Sequence, residues 1–375
     1  MDEPVRGAFP PEIADLLEEI AAWCCAEGIR AALVGGSVRN LLLGLKMGGD
    51  LDLAVEGDAE ALGSYLARAR GGESIPHPAF GTCTVEIPEI GRVDLASTRT
   101  EIYPSPGDLP RVRPARLEDD LLRRDFSVNA MALPLKKGGG TGNLVDPCGG
   151  AGDLDARVLK VLHPQSFSDD PTRLFRGVRL AARLGFRLDK QTGILFREAL
   201  RGGYLDPVSG ERVFRELCLA AAESAAARVF TAFAKHGLLA ASFRTARIFK
   251  GVESRFARVQ DILEPHLWIR AGDARRPSRT PEPVLAFLAT ALWPCEMETA
   301  WAAAERLSLS RGRREKLVCV LNEGRKILRG LRRPNVSPDR REELLEAWPP
   351  EGLAVLAAVG GEQITEQIRE HLRRR

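Results

Sequence analysis

No run in this chain approaches the roughly 18 apolar residues that a membrane-spanning helix needs, so a helical membrane protein is not expected. Cysteine is sparse and unpatterned. There are seven, an odd number, with no Cys-x-x-Cys spacing, which leaves little basis for a zinc site or a disulfide framework. The five histidines, His77, His163, His236, His266 and His371, show no ligand pairing and read as surface or satisfied core residues. Asp2 and Glu3 stand where a secretory signal would carry positive charge, so a cytoplasmic protein is expected. No internal repeat is found. A length of 375 residues exceeds one small core and predicts two or three packed units.

The net charge of +3 conceals an asymmetry. From Ala225 onward there are 27 Lys and Arg against 18 Asp and Glu, whereas the first 224 residues carry 27 against 33. A basic rear half suits a polyanion, although a solvated helical surface produces the same count.

The densest chemistry lies between Leu33 and Leu53. Ala31-Ala-Leu-Val34 is short and apolar, as a buried strand should be, and Gly35-Gly36 supplies a turn where backbone amides approach a ligand closely. Ser37 is placed to cap a helix starting at Val38, and Arg39 adds a charge-assisted donor one turn in. A helix start with bare amides is a cradle for a triphosphate. Asp50-Leu-Asp52-Leu-Ala-Val then alternates as a half-buried strand does, which projects Asp50 and Asp52 from one face about 7 Å apart. Such a pair holds magnesium. Asp94, flanked by Val93 and Leu95 in the same alternation, offers a third carboxylate. An isolated Asp-x-Asp is usually a solvated strand edge; preceded by Gly-Gly-x-Val-Arg at this distance it reads as a metal-dependent nucleotidyl-transfer site.

Residues 11 to 27 carry apolar side chains at helical spacing and end at Gly28. Strands are expected at 31–34, 51–55, 82–87 and 92–96, with a helix at about 58–70. A last strand pair, 128–135 and 143–145, is joined by the glycine-rich turn Lys136 to Gly142. The first 150 residues thus form a mixed α/β unit around one sheet. Beyond Asp153 long Ala-, Leu- and Arg-rich segments predict helices and no strand. The proline- and arginine-rich stretch 272–283 marks a loop or boundary, and Pro334-Asn-Val-Ser-Pro338 a second break.

Two further motifs each admit two readings. Arg123-Arg124-Asp125-Phe126-Ser-Val-Asn129 can meet a triphosphate and a sugar, or can be a helix end with basic residues complementing the dipole. Asp169-Asp170-Pro171-Thr-Arg173 opens a helix, so an aspartate cap is the plain reading. Yet Asp170 and Arg173, three apart, combine two acceptors with a fork of donors and can read the Watson–Crick edge of a base. Arg176 and Arg179 follow on the same side, available for phosphates.

These motifs in this order resemble the class II tRNA nucleotidyltransferase and poly(A) polymerase family. The matching pieces are Gly35 to Gly44, Asp50-Leu-Asp52, Arg123 to Ala132, Asp170-Pro-Thr-Arg173 with Arg176 and Arg179, and Glu211 to Leu217; together they span roughly residues 30 to 220. The resemblance implies an α/β head of polymerase-β-like type, a small mixed sheet with helices, followed by an all-helical neck, body and tail. On this basis the head is expected at 1–152, the neck at 153–224 and a tRNA-binding body and tail at 225–375. It implies that Asp50 and Asp52 bind Mg2+, that Asp94 is the third carboxylate, and that Gly35, Gly36, Arg39 and Arg124 contact the triphosphate. Asp170 and Arg173 would be the protein template that selects CTP and ATP, with Arg176 and Arg179 completing the nucleotide site. Glu211 to Leu217 would stabilise a helix. Two departures stand out: Asn40 and Asp169 replace the family's usual aspartate and glutamate.

The implied reaction is template-independent addition of CMP and AMP, from CTP and ATP, to the 3′ end of tRNA. Members differ in whether they build CCA, only CC, only the final A, or poly(A). The segment Thr100 to Leu122 lies where the family's switching loop stands and is not deleted. A non-catalytic RNA-binding relative is the rival from another class, and the presence of all three carboxylates argues against it.

Overall fold

The computed structural model describes residues 9–45, 50–244, 251–264, 282–333, 336–346 and 348–374. Gly49, residues 272–281 of the expected boundary and Pro334-Asn335 of the second break lie outside the described residues. The chain forms two compact units, Met1–Asp170 with Phe186–Leu195, and Pro171–Gly185 with Phe196–Arg375.

The first unit runs α1 (Pro11–Ala26), β1 (Ala31–Val34), α2 (Gly35–Leu42), β2 (Asp50–Val55), α3 (Ala59–Arg70), β3 (Glu73–His77), β4 (Thr82–Ile87), β5 (Gly91–Ser97), β6 (Arg99–Ile102), β7 (Arg111–Pro114), α4 (Leu117–Leu122), β8 (Ala132–Pro134), α5 (Gly150–Asp155), β9 (Val158–Leu159), α6 (Ser166–Asp169) and β10 (Arg187–Leu188). Six strands make one mixed sheet in the order β3-β4-β5-β2-β1-β8. Within it β2 and β5 run parallel, while the other neighbours are antiparallel.

Alternation along β1 and β2 divides the sheet into two faces. Leu33, Leu51, Leu53, Cys83, Val85, Val93 and Leu95 are buried on one. There α3 lies so close to β4 that a Cβ on Gly63 would strike Cys83 Sγ. On the other face Ala32, Val34, Ala54 and Ala132 are covered by Leu117 and Leu121 of α4. Asp50 and Asp52 share that second face beyond the reach of α4, so one helix closes the apolar end and leaves the acidic end open.

The elements expected from periodicity at 11–27, 31–34, 51–55, 58–70, 82–87 and 92–96 are all present. Several details differ. The segment from Thr100 to Leu122 is largely ordered: β6 and β7 pair as a two-stranded ribbon, and α4 follows. Of the last strand pair only Ala132–Pro134 is a strand, bridged at Ala132 to Val145 and, beyond it, at Leu135 to Thr141. The chain past 153 also contains strand, since β9 and β10 form a two-residue parallel ladder too short to leave a periodic signal.

The second unit is helical: α7 (Arg173–Leu184), the end of α8 (Lys190–Arg201), α9 (Gly210–Ala221), α10 (Ala226–Lys235), α11 (Leu238–Phe243), α12 (Val252–Leu263), α13 (Pro283–Leu292), α14 (Met297–Arg306), α15 (Arg311–Leu331), α16 (Pro338–Glu346), α17 (Pro350–Gly360) and α18 (Glu362–Arg374). Its core is phenylalanine-rich. Phe230 stacks on Phe287 at 4.3 Å and meets Phe233 and Phe256 edge-on, geometry that adds to the area each ring buries. Among the described residues no helix is long and apolar enough to cross a membrane.

Within the first unit, α5 packs closely on the turn that carries Asn129. A Cβ on Gly150 would strike the carbonyl oxygen of Ser127, in the 3-10 turn Ser127–Asn129. Asp146 accepts from the amides of Gly150 and Ala151, and Ser127 Oγ donates to Asp153, so the turn is held from both sides. Gly150→Ala should therefore cost about 1–3 kcal/mol, because backbone and not a side-chain tip must yield. Thermal denaturation checks this; an unchanged Tm would show that the contact relaxes freely.

Candidate active site

The parallel register of β2 and β5 pairs Asp52 with Asp94 and Asp50 with Arg92. Paired residues share a face, so Asp50, Asp52 and Asp94 look out on the same side, the last two on strands about 4.8 Å apart. Antiparallel β4 adds Thr84 opposite Asp94. Thr84 Oγ1 donates to Asp94 at 2.6 Å, and Arg92 Nε donates to it at 3.0 Å. Thr84 did not announce itself in the sequence, because cross-strand neighbours depend on register; Arg92 stands two residues before Asp94 on the same strand.

The Gly35-Gly36 turn meets this face directly. Gly35 adopts φ +62, in the left-handed region, and a Cβ there would lie 3.0 Å from Arg124 Nη1. A Cβ on Gly36 would lie 3.1 Å from Asp52 Oδ2. Only glycine lets the start of α2 come this near a carboxylate and a guanidinium together. The helix begins at Gly35, with Val34 as its N-cap and no side-chain cap bond. The expectation that Ser37 caps a helix from Val38 is thereby corrected: Ser37 Oγ instead accepts the backbone N–H of Asp52 at 2.9 Å, locking helix to strand. A side-chain cap would have consumed amides that now face the acidic end.

Arg39 is buried. Its guanidinium donates to Asn129 Oδ1 at 2.5 Å and to Asn40 Oδ1 at 2.9 Å, while Asn129 in turn donates to Asp125 at 3.0 Å. Asn40, one of the two departures from the family pattern, helps hold Arg39. In the Arg123–Asn129 motif, Asp125 accepts from Asn129, which in turn accepts from Arg39. Arg124 lies against Gly35 and is held by Asp120, a residue the sequence reading passed over although it stands three and four residues before Arg123 and Arg124, the helical spacing of a pair.

Burial pushes the Asp52 carboxyl above the ordinary aspartate range; Arg124 pulls it back, Asp94 raises it again, and Arg39 and Asp50 contribute smaller opposing effects. A half-desolvated carboxylate beside two others is a poor place for negative charge alone and a good one for a cation. Among the described residues no three His, Cys, Asp or Glu side chains close into a cage of their own. A small divalent ion does not require one, since magnesium commonly takes one or two carboxylates and fills its shell with substrate phosphates and water. The glycine cradle against Asp52 leaves space for those phosphates, so the residues present fit such an ion.

Seven sequence-predicted site residues, Gly35, Gly36, Arg39, Asp50, Asp52, Asp94 and Arg124, thus come together in the first unit. The remaining four fall at the division of the chain. Asp170 ends the first unit, and Arg173, Arg176 and Arg179 lie on α7 of the second. The N-cap of α7 is Thr172, without a side-chain cap bond, so the helix starts later than the Asp169-Asp170-Pro171 signal suggested and neither aspartate is its N-cap. Arg173 is buried and Arg176 exposed. Arg179 donates to Glu223 at 3.1 Å and approaches Glu216 at 3.8 Å, which joins α7 to α9.

Residues 31–160 match the family model described as the poly A polymerase head domain. An A-adding tRNA nucleotidyltransferase of Aquifex aeolicus is 40% identical over 211 residues, 56% of this chain and 25% of that protein. A CC-adding tRNA nucleotidyltransferase of Deinococcus radiodurans is 46% identical over 153 residues, 41% of this chain and 40% of that one. Among solved structures, the apo form II of a CCA-adding enzyme superposes with a TM-score of 0.82 at 26% identity, covering 99% of this chain and 86% of the other. The chain spans 25% to 48% of the length of the first three curated relatives it matches. Residues 31–160 are thus a poly A polymerase head domain, and the chain as a whole is similar in fold to CCA-adding enzymes.

Proposed function

We propose that the protein adds CMP and AMP, from CTP and ATP, to the 3′ end of tRNA without a nucleic-acid template. The observation that carries this reading is the placing of Asp52 beside Asp94 on one sheet face, with the Gly35-Gly36 turn pressed against Asp52. The α2 N-terminus, Arg39 and Arg124 hold the triphosphate. Asp50 and Asp52 hold Mg2+, which when bound lowers the pKa of the attacking ribose hydroxyl and neutralises the leaving pyrophosphate. Asp94, restrained by Thr84 and Arg92, is the third carboxylate and faces the hydroxyl side. Positioning and electrostatics perform most of the chemistry.

Residues 1–152 act as head, 153–224 as neck and 225–375 as body and tail in this reading. Asp170 and Arg173 select the base; burial of Arg173 supports the role, because a hydrogen bond withdrawn from water discriminates more sharply. Arg176 completes the phosphate contacts, and Arg179, paired to Glu216 and Glu223, orders α7. The helical unit offers a cleft of about 410 Å³ lined by Lys326, Arg329, Arg333 and Arg340, which supports an RNA backbone as its partner. A second reading, addition of only CC or only A, is favoured by the A-adding and CC-adding specialists among the relatives; poly(A) synthesis is its more distant variant.

A polymerisation assay separates these readings. tRNAs ending at the discriminator base, at C or at CC, each given CTP or ATP alone or together, should be extended to CCA; one active step only would establish a partial enzyme, and no incorporation would overturn the reading. In the same assay Asp170→Ala should lose about 1–3 kcal/mol of discrimination among the four nucleotides. Unchanged selectivity would remove Asp170 from base recognition.

The raised pKa of Asp52 has a sign that can be tested. The fold binds its proton more tightly than the unfolded chain does, so ionised Asp52 costs stability at neutral pH, and the cost grows as pH rises through the ordinary carboxylate range to the folded value. In chelator, Asp52→Asn should raise Tm by about 2–4 °C, on the scale of 1 kcal/mol. Added Mg2+ should stabilise the wild type more than the variant. A variant less stable than wild type in chelator would contradict the electrostatic account.

A further inference from the structure

The base of the β6–β7 ribbon contains a charge cluster with no part in metal or base chemistry. At its centre Asp120, on α4, is almost wholly buried. One carboxylate oxygen accepts from Arg123 Nη2 at 2.6 Å, from Arg123 Nε at 3.0 Å and from the backbone N–H of Arg99 at 3.2 Å. The other accepts from Arg124 Nη2 at 3.0 Å and Nε at 3.3 Å. Glu101 extends the cluster along the ribbon: it accepts from Arg123 at 2.7 Å, from Arg99 at 3.1 Å and, through its second oxygen, from Tyr103 at 2.8 Å.

This arrangement exceeds what packing α4 requires. The apolar contacts of α4 are made by Leu117 and Leu121, on the side that covers the sheet. Asp120 is adjacent in sequence, yet it spends one oxygen on Arg124 and the other on the Arg123 guanidinium and the backbone N–H of Arg99, the first residue of β6. Burying a carboxylate costs several kcal/mol unless it is fully bonded, and here it is bonded at both oxygens. Arg124 is fixed by Asp120 at Nε and Nη2, while Nη1 donates to the carbonyl oxygen of Asn129 at 3.5 Å and lies against the Gly35 turn.

We propose that Asp120 is a positioning residue for the nucleotide triphosphate, aiming Arg124 at the Gly35-Gly36 turn and coupling that arginine to the root of the β6–β7 ribbon. The assignment rests on the nucleotide-transfer reading above. Asp120 touches no substrate; it acts through Arg124. Its loss would weaken whatever depends on the β- and γ-phosphates and spare the nucleoside monophosphate part.

Calorimetric titration of the full chain with CTP and with CMP, both with Mg2+, tests this in the wild type, Asp120→Asn, Arg124→Ala and the double variant. Asp120→Asn should weaken CTP about tenfold, as loss of a charge-assisted hydrogen bond does, and leave CMP within about twofold. Added to Arg124→Ala it should change CTP affinity by less than about twofold, since the residue it positions is gone. Equal weakening of CTP and CMP, or independent losses in the double variant, would overturn the proposal. Circular dichroism reports whether Asp120→Asn folds; Glu101→Gln, which loosens the same cluster from the ribbon side, should also weaken CTP and not CMP, and no effect there removes the coupling. A wild type that binds neither nucleotide overturns the nucleotide-transfer reading, and this assignment with it.

Discussion

The parallel pairing of β2 with β5 is the constraint on which the site depends. Parallel neighbours cannot be joined by a tight hairpin, and here α3, β3 and β4 intervene before the chain returns as β5. That excursion brings Asp94, forty-two residues after Asp52 in number, to its side in register. A slip of one residue would turn Asp94 into the leucine-rich core and leave Leu95 beside Asp52 on the open face. Register is held because both faces are committed: one to Leu51, Leu53, Val93 and Leu95, the other to carboxylates at one end and the α4 contacts at the other.

From this follows a division of labour in the head. The acidic end gathers negative charge that burial makes unfavourable, and the fold answers with cations fixed by other groups: Arg39 by two asparagines, Arg124 by Asp120, Arg92 by Asp94 itself. Each guanidinium is held in place by the fold itself, so under the proposed function less ordering remains to be done when a triphosphate binds. The glycine turn completes the set by giving backbone amides access that no side chain would permit.

Much of the head was legible in sequence, because its signals are local. Alternation in Asp50 to Val55 and helical spacing in residues 11 to 27 follow from strand and helix periods alone. The Gly-Gly-Ser-Val-Arg turn is chemically distinctive, and the carboxylates carry their own spacing. What stayed hidden depends on tertiary register or on competing partners. Ser37 had the type and place of a cap, yet Asp52 offered its amide and took the hydroxyl. Thr84 and Asp120 are ordinary residues until β4 and α4 pack. The ladder of β9 and β10 is two residues long, below any period. Asp169 and Asp170 resembled a cap because Pro171 resembled a first helical residue, whereas the helix itself begins at Arg173.

The central claim is that the Asp50–Asp52 face holds a catalytic divalent ion. The most direct measurement is a metal switch: single-turnover nucleotide incorporation by Asp50→Cys, with Mg2+ and then with thiophilic Cd2+. A thiolate is a poor ligand for a hard ion and a good one for a soft ion. Incorporation should be lost with Mg2+ and partly restored with Cd2+, while the wild type prefers Mg2+; normal turnover of the variant with Mg2+ would contradict metal ligation by Asp50.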